Sequence, residues 1–274
     1  MPDEGAPSGL SKKIDKKRKR QADDSAASKQ DKPDAAPPPA DAPNKKKKKA
    51  KKNKKEPEEQ DVNRKDGFDE SIGKMDGRLL ADHFAKKAKK LDKELSAVEL
   101  SDLSVPDSAF LDASSFTSSR SLDQLPTFLK SFSPKGVDLS KAAKEPGTPH
   151  TLVVTAAGLR AADTVRALRS FQNKESIVGK LFAKHIKLEE AKQFLQRAQM
   201  GIGVGTPTRV SDLIESGTLK VDELQRIVID GSYIDQKQRG IFDMKDTHLP
   251  LLRLLTRPEL RERYGKSKLQ IVVF

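Results

Sequence analysis

The sequence predicts an α/β fold, a single lobe with a parallel sheet flanked by helices over residues 147–274. Three observations predict it. After Gly147, short β-branched runs alternate with helical stretches, the order that builds βαβ units and a parallel sheet with helices on both faces. The remaining length of about 128 residues suffices for one such core. Residues 1–66 hold only Met1, Leu10, Ile14 and Val62 as large apolar side chains, so the low overall apolar share of 35% reflects dilution of a folded part by a tail that cannot offset its own ordering entropy.

That tail, residues 1–74, is expected to be disordered and basic. It carries the blocks KKIDKKRKR at 12–20 and KKKKKAKKNKK at 45–55. Lys16, Lys17, Arg18, Lys19 and Arg20 in the first block, and Lys45, Lys46, Lys47, Lys48 and Lys49 in the second, have the density read by nuclear import receptors. The same blocks suit salt-sensitive contact with RNA through counterion release. A solubilising tail with non-specific phosphate affinity is the blander alternative. The net charge of +13 extends beyond the tail: residues 1–76 hold 21 Lys+Arg against 16 Asp+Glu, and residues 77–274 hold 32 against 24. Both parts therefore favour polyanionic partners.

Residues 75–146 read as a docking segment. Leu80, Phe84, Leu91 and Leu95 recur at helical spacing between lysines, with Asp76 placed to cap the start. Such a helix packs on the following domain or lies on a partner. Residues 97–146 are rich in Ser, Pro and Asp and predict extended chain with short helical turns, wrapped on the folded domain.

In the lobe, TLVVT at 151–155 predicts a strand and 159–171 a helix. Ile177-Val178 is a weak strand candidate or part of a loop. A helix is expected over 188–200, and a short buried strand at 201–204. A helix follows over 207–216, with Thr206 as N-cap and Gly217 just past its end. Strands follow at 226–230 and 269–274, separated by a helix over 249–264 kinked or restarted at Pro258. Chemistry in open parallel sheets gathers at the carboxyl ends of strands. Those ends are 155–160, 203–209 and 230–235.

The run GTPTR at 205–209, then DLIESG at 212–217, Leu224, and IVID at 227–230 resembles the first RecA-like (P-loop NTPase-type) lobe of DEAD-box RNA helicases. The segment LFAKHIKLEE at 181–190, DLSVP at 102–106 and the basic tail are similar to the CMS-type family, described as a subunit of the U3-containing 90S pre-ribosomal complex. The resemblance implies a RecA-like lobe, a nuclear and nucleolar place of work, and partners among pre-rRNA or snoRNA backbone and 90S assembly proteins. It also implies that Thr155, Arg160, Gly205, Thr206 and Arg209 occupy the segments that grip RNA phosphates. Thr206-Pro207 would open a helix whose free N–H groups favour an anion; the alternative is that Thr206 only caps and Arg209 is a surface charge. Arg160 is shifted from the family's arginine position.

The departures point away from catalysis. No GxxxxGK[ST] loop occurs, and Gly265-Lys-Ser267 has Leu260 where the first glycine belongs, so the lobe is expected to lack the P-loop. The acidic box reads Asp230, Gly231, Ser232, Tyr233, keeping one carboxylate of the set that metal binding and water activation need. No Ser-Ala-Thr motif follows the last strand, and no second lobe is expected. The expectation is therefore a non-enzyme with no catalytic residue and no cofactor. Two other readings stay open: a half-ATPase completed in trans, and a protein adaptor without RNA contact.

Cysteine is absent, which excludes disulfides and Cys-based metal sites. His83, His150, His185 and His248 are scattered, so no metal site is expected. His83 in particular reads as a surface residue of its helix. No apolar run reaches a membrane span and residues 1–10 lack a secretory apolar core, so no membrane contact is expected. With two tyrosines and no tryptophan, any RNA contact would address phosphates rather than stack bases.

Overall fold

Five apolar, β-branched runs pair side by side in one parallel sheet, and their alternate side chains feed two separate hydrophobic layers. The computed structural model describes residues 64, 65, 67–134, 137–183, 186–265 and 269–274. The basic blocks at 16–20 and 45–49, expected as nuclear address signals, lie outside these residues, as do His185, Lys266 and Ser267.

In chain order, β1 (Arg64–Lys65) and β2 (Phe68–Asp69) form an antiparallel hairpin. A 3-10 turn at Ile72–Lys74 leads to α1 (Gly77–Leu91) and α2 (Ala97–Asp102). Two further 3-10 turns, Asp107–Ala109 and Leu122–Gln124, precede α3 (Leu125–Ser131). Then come β3 (Thr151–Val154), α4 (Gly158–Ala167) with a 3-10 extension at Leu168–Phe171, β4 (Ile177–Leu181) and α5 (Leu188–Leu195). The chain continues through β5 (Met200–Gly205), α6 (Pro207–Glu215), β6 (Arg226–Ile229), α7 (Lys245–Leu255), α8 (Pro258–Arg261) and β7 (Gln270–Val273). The sheet order is β4-β5-β3-β6-β7, with every neighbouring pair parallel.

The period of two along each strand sorts the core. Leu152, Val154, Ile227, Ile229, Ile271 and Val273 join one layer with residues of α1, α6 and α7. Val153, Val228, Val272 and Phe274 join the opposite layer with residues of α3 and α4. Both faces are thus covered, as a parallel sheet requires.

Several expectations are sharpened. Ile177-Val178 belongs to a five-residue strand at the sheet edge, where pairing with β5 supplies what its weak local signal lacked. The helix expected to run to Met200 ends at Leu195, because Met200 is buried as the first residue of β5. The helix expected from 249 starts at Lys245 and carries Pro250 inside it, while Pro258 begins a separate short helix. The expected tail boundary at 74 is too late. Arg64 donates to the Asp69 carboxylate at 3.2 Å, to the Asp243 carboxylate at 2.9 Å and to the Gln238 carbonyl at 2.7 Å. Lys87 of α1 reaches the same Asp243 at 2.5 Å. Burial alone would raise the Asp243 pKa, but Lys87, the Gly240 N–H and Arg64 outweigh it and hold the carboxyl below its usual range. A network of this kind, formed with residues far along the chain, orders the hairpin.

The docking segment is built into the core. Asp76 caps α1 by accepting from Leu79 N–H at 2.9 Å. Leu80, Phe84 and Ala88 are buried against the sheet's first layer. Phe84 meets Phe110 and His248 edge to face. On the other face, Arg226 of β6 is buried. It donates to the carbonyls of Leu129 and Phe132 and to the Ser133 and Thr151 hydroxyls, tying α3 to the sheet. Desolvation pushes the Arg226 pKa down to about 10.

His248 links α7 to α1. Its Nε2–H donates to the Phe84 carbonyl oxygen at 2.9 Å, and its Nδ1 is buried without a partner among the described residues. Only the neutral ring fits this setting, and burial pushes its pKa down to about 4. Burial does the same to His83 and His150. His83 is thus half-buried, edge-on to Phe242, and not the surface residue expected. A histidine depressed in the native state and ordinary when unfolded binds more protons in the unfolded chain between about pH 4 and 6.5, so stability falls as pH falls through that window. Lowering the pH from 7.5 to 5 is expected to cost on the order of 1–2 kcal/mol per buried histidine. Thermal melts across this range should show the drop, and His248→Gln should reduce it by one histidine's share, leaving those of His83 and His150. A melting temperature independent of pH would contradict the buried neutral state.

Candidate functional site at the carboxyl end of the sheet

The central strands β5, β3 and β6 are neighbours, so their carboxyl ends meet. Backbone bonds stitch them together: Thr155 N–H donates to the Gly205 carbonyl at 2.9 Å, and Asp230 N–H to the Val154 carbonyl at 2.9 Å. The topology therefore gathers Thr155, Arg160, Gly205, Thr206 and Asp230 at one end of the sheet, with Arg209 in the first turn of α6.

Within the described residues, several of these side chains are engaged internally. Arg160, in the first turn of α4, places Nε 2.7 Å and Nη2 3.0 Å from the two oxygens of Asp230. The two side chains are only 8% and 4% exposed. The Arg160 guanidinium carbon lies 4.1 Å from the centre of the Tyr233 ring, a cation–π stack that closes the pair from one side. A cation in the first turn of a helix is opposed by the helix dipole, and Asp230 supplies the compensating charge. Burial pulls the Arg160 pKa down, yet the bonds and charge of Asp230 outweigh it and raise the value. Expected as an RNA contact, Arg160 has its fork filled by an internal carboxylate. Asp230, expected as the surviving metal-box carboxylate, is held by an arginine.

The rest of the box is a backbone seam. Gly231 and Ser232 N–H groups both donate to the Phe274 carbonyl at 2.9 Å. The Ser232 carbonyl accepts from Asp69 N–H at 2.7 Å, Tyr233 bridges Phe68, and Ile234 N–H donates to the Gly67 carbonyl. The hairpin β1–β2 thus lies along this seam. A Cβ at Gly231 would sit 2.5 Å from Val273 Cγ1 and 2.9 Å from Phe242 Cε2, so the site has no room for the second carboxylate of an acidic box. Ser232 Oγ is buried without a partner among the described residues.

Thr155 is fully buried, its hydroxyl 3.3 Å from the Ala157 carbonyl. Gly205 is a packing glycine, since a Cβ there would run into the Leu181 carbonyl oxygen. Thr206 takes the N-cap position in extended conformation, but its side chain accepts no capping bond, and Pro207 opens the helix. The side-chain cap expected of Thr206 is therefore not formed. Arg209 is half-buried and donates Nη1 to the Ile186 carbonyl at 3.1 Å. Gly217 takes φ +69° just past α6, the left-handed turn anticipated from its position. Among the described residues there is no cluster of His, Asp and Glu fit to hold a metal ion, and no helix long and apolar enough to cross a membrane.

The model of the CMS1 family, described as the U3-containing 90S pre-ribosomal complex subunit, matches residues 11–274. The chain belongs to this family. Protein CMS1 of Chaetomium thermophilum is 50% identical over 214 residues, covering 78% of this chain and 85% of that protein. Human Protein CMSS1 is 34% identical over 158 residues, covering 58% of this chain and 54% of the human protein. Protein cms1 of Schizosaccharomyces pombe is 29% identical over 195 residues, covering 71% and 69%. The CMS1 family match includes the basic block at 12–20 as well as the folded part.

No local sequence signal announced the Arg160–Asp230 pair, whose partners lie 70 residues apart. A weak signal for Tyr233 existed: an aromatic in a box where acidic residues were expected.

Proposed function

We propose that this chain is a non-catalytic factor of the 90S pre-ribosome, working in the nucleus and nucleolus in ribosome biogenesis. Its sheet is a RecA-like pseudo-helicase lobe without a P-loop, and it holds pre-rRNA or snoRNA backbone and assembly-factor proteins rather than turning over ATP. The blocks at 12–20 and 45–55 are the address read by import receptors and a salt-sensitive clamp on RNA.

Membership of the CMS1 family supports the 90S assignment. The observation that carries the non-catalytic reading is the buried Arg160–Asp230 pair under Tyr233, beside a Gly231 with no space for a carboxylate. Phosphoryl transfer needs carboxylates free to hold metal and orient water. The candidate phosphate contact is the start of α6, where no side chain caps the first-turn N–H groups and Arg209 keeps nitrogens beyond the one bonded to Ile186.

Two measurements test the reading. Purified protein is expected to bind and hydrolyse no ATP, with or without RNA; turnover abolished by Asp230→Ala would overturn it and favour the trans-completed ATPase. Residue-mapped RNA cross-linking is expected to mark the basic blocks and 205–209. In tail-deleted protein, Arg209→Ala is expected to weaken RNA binding several-fold, in line with the loss of one charge-assisted contact. Unchanged affinity there would favour the protein-adaptor reading, which the internal engagement of Arg160 and Thr155 already supports.

A further inference from the structure

The two edges of the sheet are finished differently. At β7 the chain covers the edge itself: Phe110 bridges Ile271 in parallel, and Leu111 N–H donates to the Ile271 carbonyl at 2.8 Å. At the opposite edge β4 stands last in the order. Ile177 N–H donates to the carbonyl of Gln199, and the Leu181 carbonyl accepts from Thr206 N–H. These two residues therefore aim their peptide groups at β5. Successive peptide groups of a strand point to opposite sides, so those of Val178 and Lys180 face outward. An outward row of donors and acceptors is a template for another strand.

Beside this edge runs a groove of about 480 Å³ between α4 and α5. Val165, Ile177, Ile186 and Phe194 supply apolar lining, and Phe194 is 40% exposed. The charged residues lining it are Arg169 and Lys180, with no carboxylate among them.

We propose that this edge docks an extended segment of a partner protein by strand addition, a segment of alternating aliphatic side chains flanked by Asp or Glu. Main-chain bonds to Val178 and Lys180 would give affinity, and alternate side chains entering the groove would give specificity. Charge complementarity selects the acidic partner. It rejects this chain's own tail blocks, which are seven basic residues of nine and nine of eleven. The surface lies at the opposite edge of the sheet from β7 and stands independently of the function proposed above.

The test pans the full-length protein against a display library of random twelve-residue peptides, then measures the enriched peptide by titration and amide hydrogen exchange. Enriched sequences are expected to alternate aliphatic residues with Asp or Glu. Saturating peptide is expected to slow exchange at Val178 and Lys180 by about tenfold or more, while Gly179, already bonded within the sheet, is unchanged. Arg169→Glu and Phe194→Ala are each expected to weaken binding about tenfold. Lys180→Pro removes an outward donor without breaking a bond to β5 and is expected to do the same. No enrichment, enrichment of basic peptides, or binding that leaves the Val178 and Lys180 amides unprotected would overturn the proposal. So would a twelve-nucleotide oligouridylate that protects the same two amides, which would make the edge an RNA surface.

Discussion

Arg160→Ala is expected to lower the free energy of unfolding by about 3–5 kcal/mol, because it leaves the Asp230 carboxylate buried and unpaired. Asp230→Ala should cost a similar amount for the converse reason. Both charges are more than nine-tenths buried and meet through two bonds of 2.7 and 3.0 Å, so solvent screens the pair little. The double variant Arg160→Leu with Asp230→Leu is expected to recover most of the loss, since a buried ion pair is often no better than a packed apolar pair. Urea unfolding of the three variants checks this. Single substitutions costing less than about 1 kcal/mol, the range of exposed pairs, would mean that water reaches the pair and that Asp230 is available for other work. The stability and activity consequences separate cleanly: the pair matters for folding, and its loss is expected to change no ATP turnover.

A fragment of residues 147–274 is expected to show no cooperative unfolding transition, whereas residues 64–274 should unfold as one unit. Those 128 residues form the whole five-stranded sheet, yet the earlier segment supplies much of what covers it. Phe84 and Phe110 come from before the sheet and enter one layer; Leu125, Phe128 and Leu129 enter the other. Losing five such side chains, at roughly 2 kcal/mol each, removes on the order of 10 kcal/mol, about the whole stability of an ordinary domain. Arg226 would keep only its Thr151 contact and lose the bonds to Leu129, Phe132 and Ser133. Arg120, which donates to the carbonyls of Val273, Gly73 and Ala113, would be gone. Circular dichroism melts of the two fragments distinguish the outcomes. A milder probe is Phe84→Ala in the longer fragment, expected to cost about 3–5 kcal/mol. A cooperative melt from 147–274 alone would show that the docking segment is an accessory rather than part of the core.

These expectations rest on features legible to different degrees in the sequence. The bounds of α6 were legible: Pro207 at the helix start and Gly217 past its end are local chemistry, and both sit where they were anticipated. Asp76 capping α1 belongs to the same class. The edge strand β4 was half legible, because its GK dipeptide at 179–180 weakens the pattern and its pairing with β5 comes from outside the window. The side-chain cap of Thr206 and the late tail boundary failed for opposite reasons. In the first, a plausible local bond is simply not made. In the second, an ordering force arises from Asp243 and Gln238, more than 170 residues away.

The candidate site divides along the same line. Its members were singled out by a family resemblance and by their place at strand ends, and the parallel topology brings them to the ends of β5, β3 and β6. Their duties were not recognisable. A sequence lists Arg160 and Asp230 as two polar residues at strand ends, each free to meet a ligand. Only once β3 and β6 lie side by side does the guanidinium of one find the carboxylate of the other in a dry setting, where pairing outweighs any alternative either charge has. Periodicity, capping and turn chemistry act over a few residues, so the class of fold and the helix boundaries of α6 were written in the chain itself. The ion pair, the seam of the acidic box and the covered β7 edge of the sheet depend on contacts between segments far apart in the chain, such as Arg160 with Asp230, Asp69 with Ser232 and Leu111 with Ile271, and such contacts exist only after the sheet has closed.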